Sequence, residues 1–177
     1  MNNISVDNGY RRLVGGGSFT TSNAGNIRVD AQSTLGTTLD YNLVYSSTAG
    51  VEQITWGTNV YRSLAQFQAA VPAQEVHGLQ VNPLIAVPAP IAERPPSAPY
   101  NVAINVGNYR LRVGSPAIDS ANSNATYEQV FDIEGNPRVD IPTVENTGAG
   151  VRDYDDRGAY EYMLWGSFRV YLPFIRR

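Results

Sequence analysis

The sequence has no cysteine, no lysine and only one histidine. The absence of cysteine excludes disulfides, a thiol nucleophile and Cys-ligated zinc or iron–sulfur sites. The absence of lysine excludes Schiff-base chemistry and a lysine general base. No stretch approaches the roughly 20 apolar residues that a membrane-spanning helix needs, so we expect no membrane span.

Charge is also scarce, since charged residues make up 16% of the chain. Thirteen arginines stand against 16 acidic residues, and a net charge of −3 without long basic runs argues against a nucleic-acid partner. Few charges also disfavour long amphipathic helices. The chain instead has 16 glycines, 11 prolines and 11 tyrosines, which favour strands and turns. We therefore predict a single all-β domain of 177 residues.

A short pattern occurs twice near the amino terminus. The sequence N-I-x-V-D at residues 3–7 returns at residues 26–30, and repeats with a period in the twenties are typical of solenoids. In each copy Ile and Val point to the same face of a strand. Stacking the copies would place Ile4 on Ile27, and Asn3 on Asn26 as a ladder of side-chain amides. The repeat thus predicts stacked parallel strands.

The middle of the chain predicts one short helix followed by an extended segment. Ser63 can cap a helix that begins at Leu64, with Gln66 completing a capping box. Leu64, Phe67 and Val71 then share one face of this helix. Six prolines fall within residues 82–99, which prevents a regular helix or a central strand there. We expect this segment to lie as a strap across the domain.

Three motifs follow one another in the carboxy-terminal half. They read G-S-P-A-I-D at residues 114–119, D-I-E-G-N-P-R at 132–138 and G-A-Y-E at 158–161. In this order they resemble the carboxy-terminal region of bacterial secreted right-handed parallel β-helix proteins, which are pectin-lyase-like and of the choice-of-anchor Q type. The resemblance covers most of residues 40–162 and implies a secreted or cell-surface location.

The resemblance and the repeat together predict a right-handed parallel β-helix with few coils, an irregular β cap and one short helix. Residues 1–60 would be the last solenoid coils, and residues 61–108 the short helix and the proline-rich strap. Residues 109–162 would form the cap, and residues 163–177 a tail. The chain has Asp156-Arg157 where the family commonly has Asp-Ile, so we expect the last strand to be more exposed here.

Clustered carboxylates suggest a metal site near the carboxy terminus. Asp153, Asp155 and Asp156 supply the hard oxygen ligands that calcium prefers. The alternative is an acidic surface turn without a metal, because Arg152 and Arg157 flank the cluster and the spacing is not that of an EF-hand loop. Asp132 and Arg138 flank a Gly-Asn-Pro turn, across which the two charges are expected to pair.

Two further residues are candidates for catalysis. His77 follows Glu75 closely, and a neighbouring carboxylate can tune a histidine as a base; the alternative is a structural histidine. Arg28 points outward from its predicted strand. In β-helix lyases an arginine acts as the base while Ca²⁺ acidifies the sugar proton, so the resemblance makes Arg28 the candidate catalytic residue.

Aromatic side chains suggest a carbohydrate partner, since tyrosine and tryptophan can stack on pyranose rings and arginine can hold acidic groups. The alternative is that tyrosines such as Tyr41 and Tyr109 cover the core. We expect a carboxy-terminal capping and stabilising module of a carbohydrate-associated protein, without catalysis of its own. The alternatives are a polysaccharide lyase or glycoside hydrolase, and a structural or adhesive surface segment.

The first residues read as the middle of a strand, which is typical of a fragment with further coils upstream. An open first coil would expose an unpaired strand edge. We therefore expect upstream coils as a partner, or self-association through this end when they are absent.

Overall fold

The chain consists mainly of short strands joined by turns. The computed structural model describes residues 1–8, 10–11, 20–21, 25–87 and 107–164. The strands are β1 (Ile4–Val6), β2 (Tyr10–Arg11), β3 (Thr20–Thr21), β4 (Ile27–Val29), β5 (Leu43–Tyr45), β6 (Ile54–Trp56), β7 (Asn59–Tyr61), β8 (Leu79–Gln80), β9 (Ile85–Val87) and β10 (Asn108–Leu111). The helices are a 3-10 turn, Ala31–Ser33, and α1, Leu64–Ala70.

In this part of the chain the strands form four small sheets. The order β1-β5-β8 is parallel throughout. In the sheet β4-β6-β7, β4 and β6 are parallel, whereas β6 and β7 form an antiparallel hairpin. The pairs β2-β3 and β9-β10 are antiparallel. Each sheet thus has two or three strands.

The prediction of a right-handed parallel β-helix is wrong. The two copies of the repeat do not stack on each other, because Ile4 pairs with Leu43 and Ile27 pairs with Ile54. The hairpin strand β7 occupies the edge of β6 that a further coil would need. A hairpin, β2-β3, also lies between the two copies. The described sheets are therefore small and separate, and they do not form a solenoid.

The side-chain amides of Asn3 and Asn26, which were predicted to form a ladder, bind later residues and not each other. Asn3 Nδ2 donates to Asn42 Oδ1 at 3.0 Å, and Asn26 Nδ2 donates to Gln53 Oε1 at 2.8 Å. All four amides belong to residues that directly precede paired parallel strands, namely β1 and β5 for the first bond and β4 and β6 for the second. The chemistry of the ladder is therefore present, but it links each copy of the repeat to a later segment.

The apolar residues form two separate cores. In the first, Leu43 and Ile118 are buried, and Ile4 packs against them. In the second, Ile54 and Phe67 are buried, and Ile27 packs against them. The two isoleucines of the repeat thus belong to different cores, which is why neither isoleucine packs on the other.

The predicted helix is confirmed. Ser63 Oγ accepts from the backbone N–H of Gln66 at 3.2 Å, and Gln66 Oε1 accepts from the backbone N–H of Arg62. Leu64 and Phe67 are buried, as their spacing predicts. No helix in the described ranges is long and apolar enough to cross a membrane.

Residues 112–164 contain no strand and are held largely by turns and side-chain hydrogen bonds. The expectation of a more exposed last strand is wrong, since Asp156 and Arg157 are 1% and 2% exposed. Residues 88–106, which include most of the strap, and residues 165–177, which include most of the tail, lie outside the described residues.

Candidate functional site

A groove of about 590 Å³ lies where β1, β9 and β10 meet the loop at residues 127–133. Ile4, Ile85 and Ile133 contribute apolar surface. Four aromatic side chains also line it: Tyr109, Tyr127, Phe131 and Tyr160. Such a concentration of large apolar side chains around a concavity is typical of a binding surface.

The most exposed of these aromatic residues is Tyr127, at 90% exposure, and Phe131 is 55% exposed. Tyr127 has φ +68, a left-handed conformation that residues with bulky side chains rarely adopt. The turn at residues 125–128, which contains Tyr127, is closed by the N–H of Glu128, which donates to the carbonyl of Ala125 at 3.0 Å. The loop therefore keeps a costly backbone conformation while its tyrosine faces solvent.

Asn2 joins the amino-terminal strand to the side of this groove. Its Nδ2 donates to Glu128 Oε2 at 2.6 Å and to the carbonyl of Asn122 at 2.9 Å. Its Oδ1 accepts from the N–H of Asn122, and its backbone carbonyl accepts from the N–H of Gly158. The groove thus depends on contacts between residues about 120 positions apart.

Arg138 lies beneath the groove as a buried cation, with 5% of its side chain exposed. Its Nη1 donates to Glu161 Oε2 at 2.9 Å, and its Nη2 donates to Glu128 Oε1 at 3.2 Å. Longer bonds of 3.5 Å reach the carbonyls of Gln129 and Asp156. The guanidinium is therefore occupied by the protein itself. The predicted pairing of Arg138 with Asp132 is wrong.

Asp132 instead organises the turn that follows it. Its carboxylate accepts from the N–H groups of Glu134 and Asn136 at 2.8 Å each, from Asn136 Nδ2, and from the N–H of Glu161. Burial raises the pKa of Asp132, but these hydrogen bonds to its charged form outweigh burial and leave the pKa below its usual value. A fixed negative charge therefore stands beside the groove.

Three more carboxyl groups are buried behind the groove, on Asp119, Asp156 and Glu161. Burial and the charge of Glu161 raise the pKa of Asp156 to about 8. Burial, with smaller contributions from Asp140, Glu161 and Asp153, raises the pKa of Asp119 to about 6. Asp119 and Asp156 are at most 1% exposed, so a ligand in the groove cannot reach them.

Arg157 connects the carboxy-terminal segment to the amino-terminal ends of β5 and β8 in the parallel sheet. Its side chain donates to the carbonyls of Ser120 at 2.9 Å, Asn42 at 3.2 Å and His77 at 3.0 Å. It also lies 5.4 Å from the centre of the Tyr41 ring. Burial lowers the pKa of Arg157 to about 10, which leaves it charged at neutral pH. The residue is a buried clamp between segments.

Compared with protein-family models, curated proteins and solved structures, the chain has no match. The resemblance of its carboxy-terminal motifs to secreted β-helix proteins stays a prediction.

The three aspartates predicted to bind calcium have separate partners. Asp155 is paired with Arg152 through both oxygens, and Asp156 accepts from the N–H groups of Asp119 and Tyr162. Asp153 accepts from Asn146 Nδ2. Within the described ranges, no group of three His, Asp or Glu side chains is arranged to hold a metal ion. Calcium at this cluster stays a prediction without support from the geometry.

The two catalytic candidates lie apart from the groove. Arg28 is exposed, as predicted, and its guanidinium pairs with Asp30 Oδ1 at 3.0 Å. His77 Nδ1 lies 2.9 Å from Asp40 Oδ2, and its ring stacks on Tyr41. The carboxylate beside His77 is thus Asp40, whereas Glu75 is buried against Asn42. Neither residue lines the groove.

From the sequence, none of the four groove aromatics was assigned to binding, and Tyr109 was named only as a residue that would cover the core. Tyr127 and Phe131 stand in an irregular loop, where no periodic pattern marks an outward side chain. The available signal was that both residues stand just before the motif at residues 132–138. This position indicates a groove only when the structure places β1, β9 and β10 opposite the loop at residues 127–133.

Proposed function

We propose that this chain is a carbohydrate-binding and stabilising module without catalysis of its own, and that the glycan binds in the aromatic groove. The observation that carries the proposal is the set of four aromatic side chains around one concavity of about 590 Å³. Flat aromatic faces stack on the apolar faces of pyranose rings, while polar groups at the edge meet the hydroxyls. Asn3 and Gln129, which also line the groove, offer such polar groups.

The proposed lack of catalysis rests on the state of the carboxyl groups around the groove. Glycoside hydrolysis uses two carboxyl groups that can reach the scissile bond. Glu128 is bound to Asn2 and Arg138, and Asp132 is bound by its own turn. Asp119 and Asp156 are buried. These groups serve the internal structure, which favours binding over bond cleavage.

The proposed stabilising role rests on the contacts of the carboxy-terminal segment with the amino-terminal sheet. Asn122 and Gly158 bind Asn2. Arg157 binds the backbone carbonyls of residues 42 and 77. We include a secreted or cell-surface location in the proposal, because the motifs resemble the closing region of secreted, carbohydrate-associated proteins. Self-association through β1 is also included.

A screen of the purified chain against neutral and acidic polysaccharides, with and without Ca²⁺, tests the proposal. We expect binding without unsaturated products, which ultraviolet absorbance would reveal. Ca²⁺-dependent unsaturated products would identify the chain as a lyase. Arg28 would then be the candidate base, and the aspartates at 153, 155 and 156 the candidate calcium ligands. Absence of binding to every glycan would favour a purely structural segment.

The variant Tyr127→Ala assigns binding to the groove. Tyr127 is 90% exposed, so its removal should leave stability nearly unchanged while one stacking contact is lost. A stacking contact on the order of 1 kcal/mol corresponds to roughly 5- to 10-fold weaker binding. Leu35→Ala is the matched control, because Leu35 is 94% exposed and does not line the groove. Equal affinity of both variants and the natural sequence would place the site elsewhere.

A further inference from the structure

The charged groups that line the groove are unevenly available to a ligand. Arg138 is the single basic side chain among the lining residues, and two carboxylates, Glu128 and Asp132, line the groove with it. Arg138 is almost fully buried and shares its donors among Glu128, Glu161 and two backbone carbonyls. A ligand carboxylate would therefore find no free guanidinium here.

A second arginine, Arg110, lies at the edge of the same surface and is also occupied. Its guanidinium lies 5.1 Å from the centre of the Tyr160 ring and is paired with Glu134. It also donates to Asn108 Oδ1 at 3.4 Å. Arg110 therefore covers one face of Tyr160, while its charge is balanced by a neighbouring carboxylate.

We infer that the groove selects uncharged sugar residues and rejects uronates, because its lining presents carboxylates and aromatic faces and its one guanidinium, that of Arg138, is bound by the protein itself. This inference rests on the proposed function, since it names the class of glycan that the same groove binds. An acidic sugar would bring its carboxylate near Glu128 and Asp132. The guanidinium of Arg138 beside them is already shared among Glu128, Glu161 and two backbone carbonyls, so it is not free to bind the ligand. Juxtaposed like charges oppose binding.

The experiment compares oligosaccharides that differ only in charge. Oligomers of galacturonate and of glucuronate are each paired with the product of reducing their carboxylates to hydroxymethyl groups, and binding is measured by calorimetry. We expect the reduced, neutral oligomer of at least one pair to bind ten-fold or more tightly than its acidic parent. The difference should shrink at high ionic strength, which screens exposed charges. Because Met1 also lines the groove, the comparison is repeated with the α-amino group acetylated.

The variant Glu128→Gln connects the selectivity to the groove. It keeps the shape of the side chain and a hydrogen-bond partner for Asn2. The ratio of the affinities for the neutral and the acidic oligomer should fall several-fold. Glu145→Gln is the matched control, because Glu145 is exposed and does not line the groove. Thermal unfolding of both variants verifies that they are folded.

Equal or tighter binding of the acidic oligomers would overturn the inference and leave the proposed function standing. If no oligomer binds, and the polysaccharide screen is also negative, the proposed function itself fails. An unchanged preference in Glu128→Gln would show that the selectivity arises outside the groove.

Discussion

At the scale of single residues, the buried charges decide how the carboxy-terminal segment is held. Arg157 is 2% exposed and donates to three backbone carbonyls from different parts of the chain. Sequence reasoning took this arginine as a sign of exposure, because charged residues are rarely buried. Burial becomes favourable only when each donor finds an acceptor, and those acceptors are contributed by residues 42, 77 and 120.

Replacement of Arg157 by methionine should destabilise the chain by about 2–4 kcal/mol, because buried carbonyls lose their donors. Urea unfolding followed by fluorescence measures the change. Arg28→Met is the control, since Arg28 forms an exposed pair with Asp30 and such pairs contribute roughly 0–1 kcal/mol. If the two variants unfold at the same urea concentration, the clamp role of Arg157 is wrong.

At the scale of elements, the helix and the strands differed in how well the sequence predicted them. Helix α1 depends on residues within one turn, namely the cap from Ser63 and the apolar face of Leu64 and Phe67, so its sequence pattern is sufficient. The positions of β1 and β4 were also predicted, from the two copies of the repeat. Their partners were not, because pairing depends on segments far away along the chain.

β1 has one strand neighbour, β5, among the described strands, and a free edge can pair with another chain. We expect concentration-dependent association in light scattering. The variant Val6→Lys should reduce this association, because a charge on an edge strand opposes pairing. Leu35→Lys, which adds the same charge at an exposed site away from β1, is the control. A monomer at high concentration would contradict the prediction.

At the scale of the whole molecule, the cluster of buried carboxyl groups makes stability depend on pH. Folding raises the pKa of Asp119 to about 6 and that of Asp156 to about 8. The folded state then holds protons that the unfolded state releases, so stability falls as pH rises from about 4 through 6 and 8. Arg138 and the carboxylates of Asp140, Asp153 and Glu161 face this cluster.

We expect the urea midpoint to be higher at pH 5 than at pH 8, with a difference on the order of 1–3 kcal/mol in the free energy of unfolding. The variant Asp119→Asn should flatten the part of the curve between pH 4 and 6. Asp119 is suited to this test because it is fully buried and its Oδ1 has no hydrogen-bond partner among the described residues. A midpoint that rises from pH 5 to pH 8 would refute the prediction.

The sequence by itself determined the short helix, the positions of β1 and β4, and the chemistry that is excluded. These properties follow from composition and from residues that are neighbours along the chain. The tertiary structure alone decided which strands pair, that the repeat is divided between two cores, and that four aromatic side chains meet at one groove. The physical reason is that these features need contacts between distant segments, and a local pattern does not specify the distant partner.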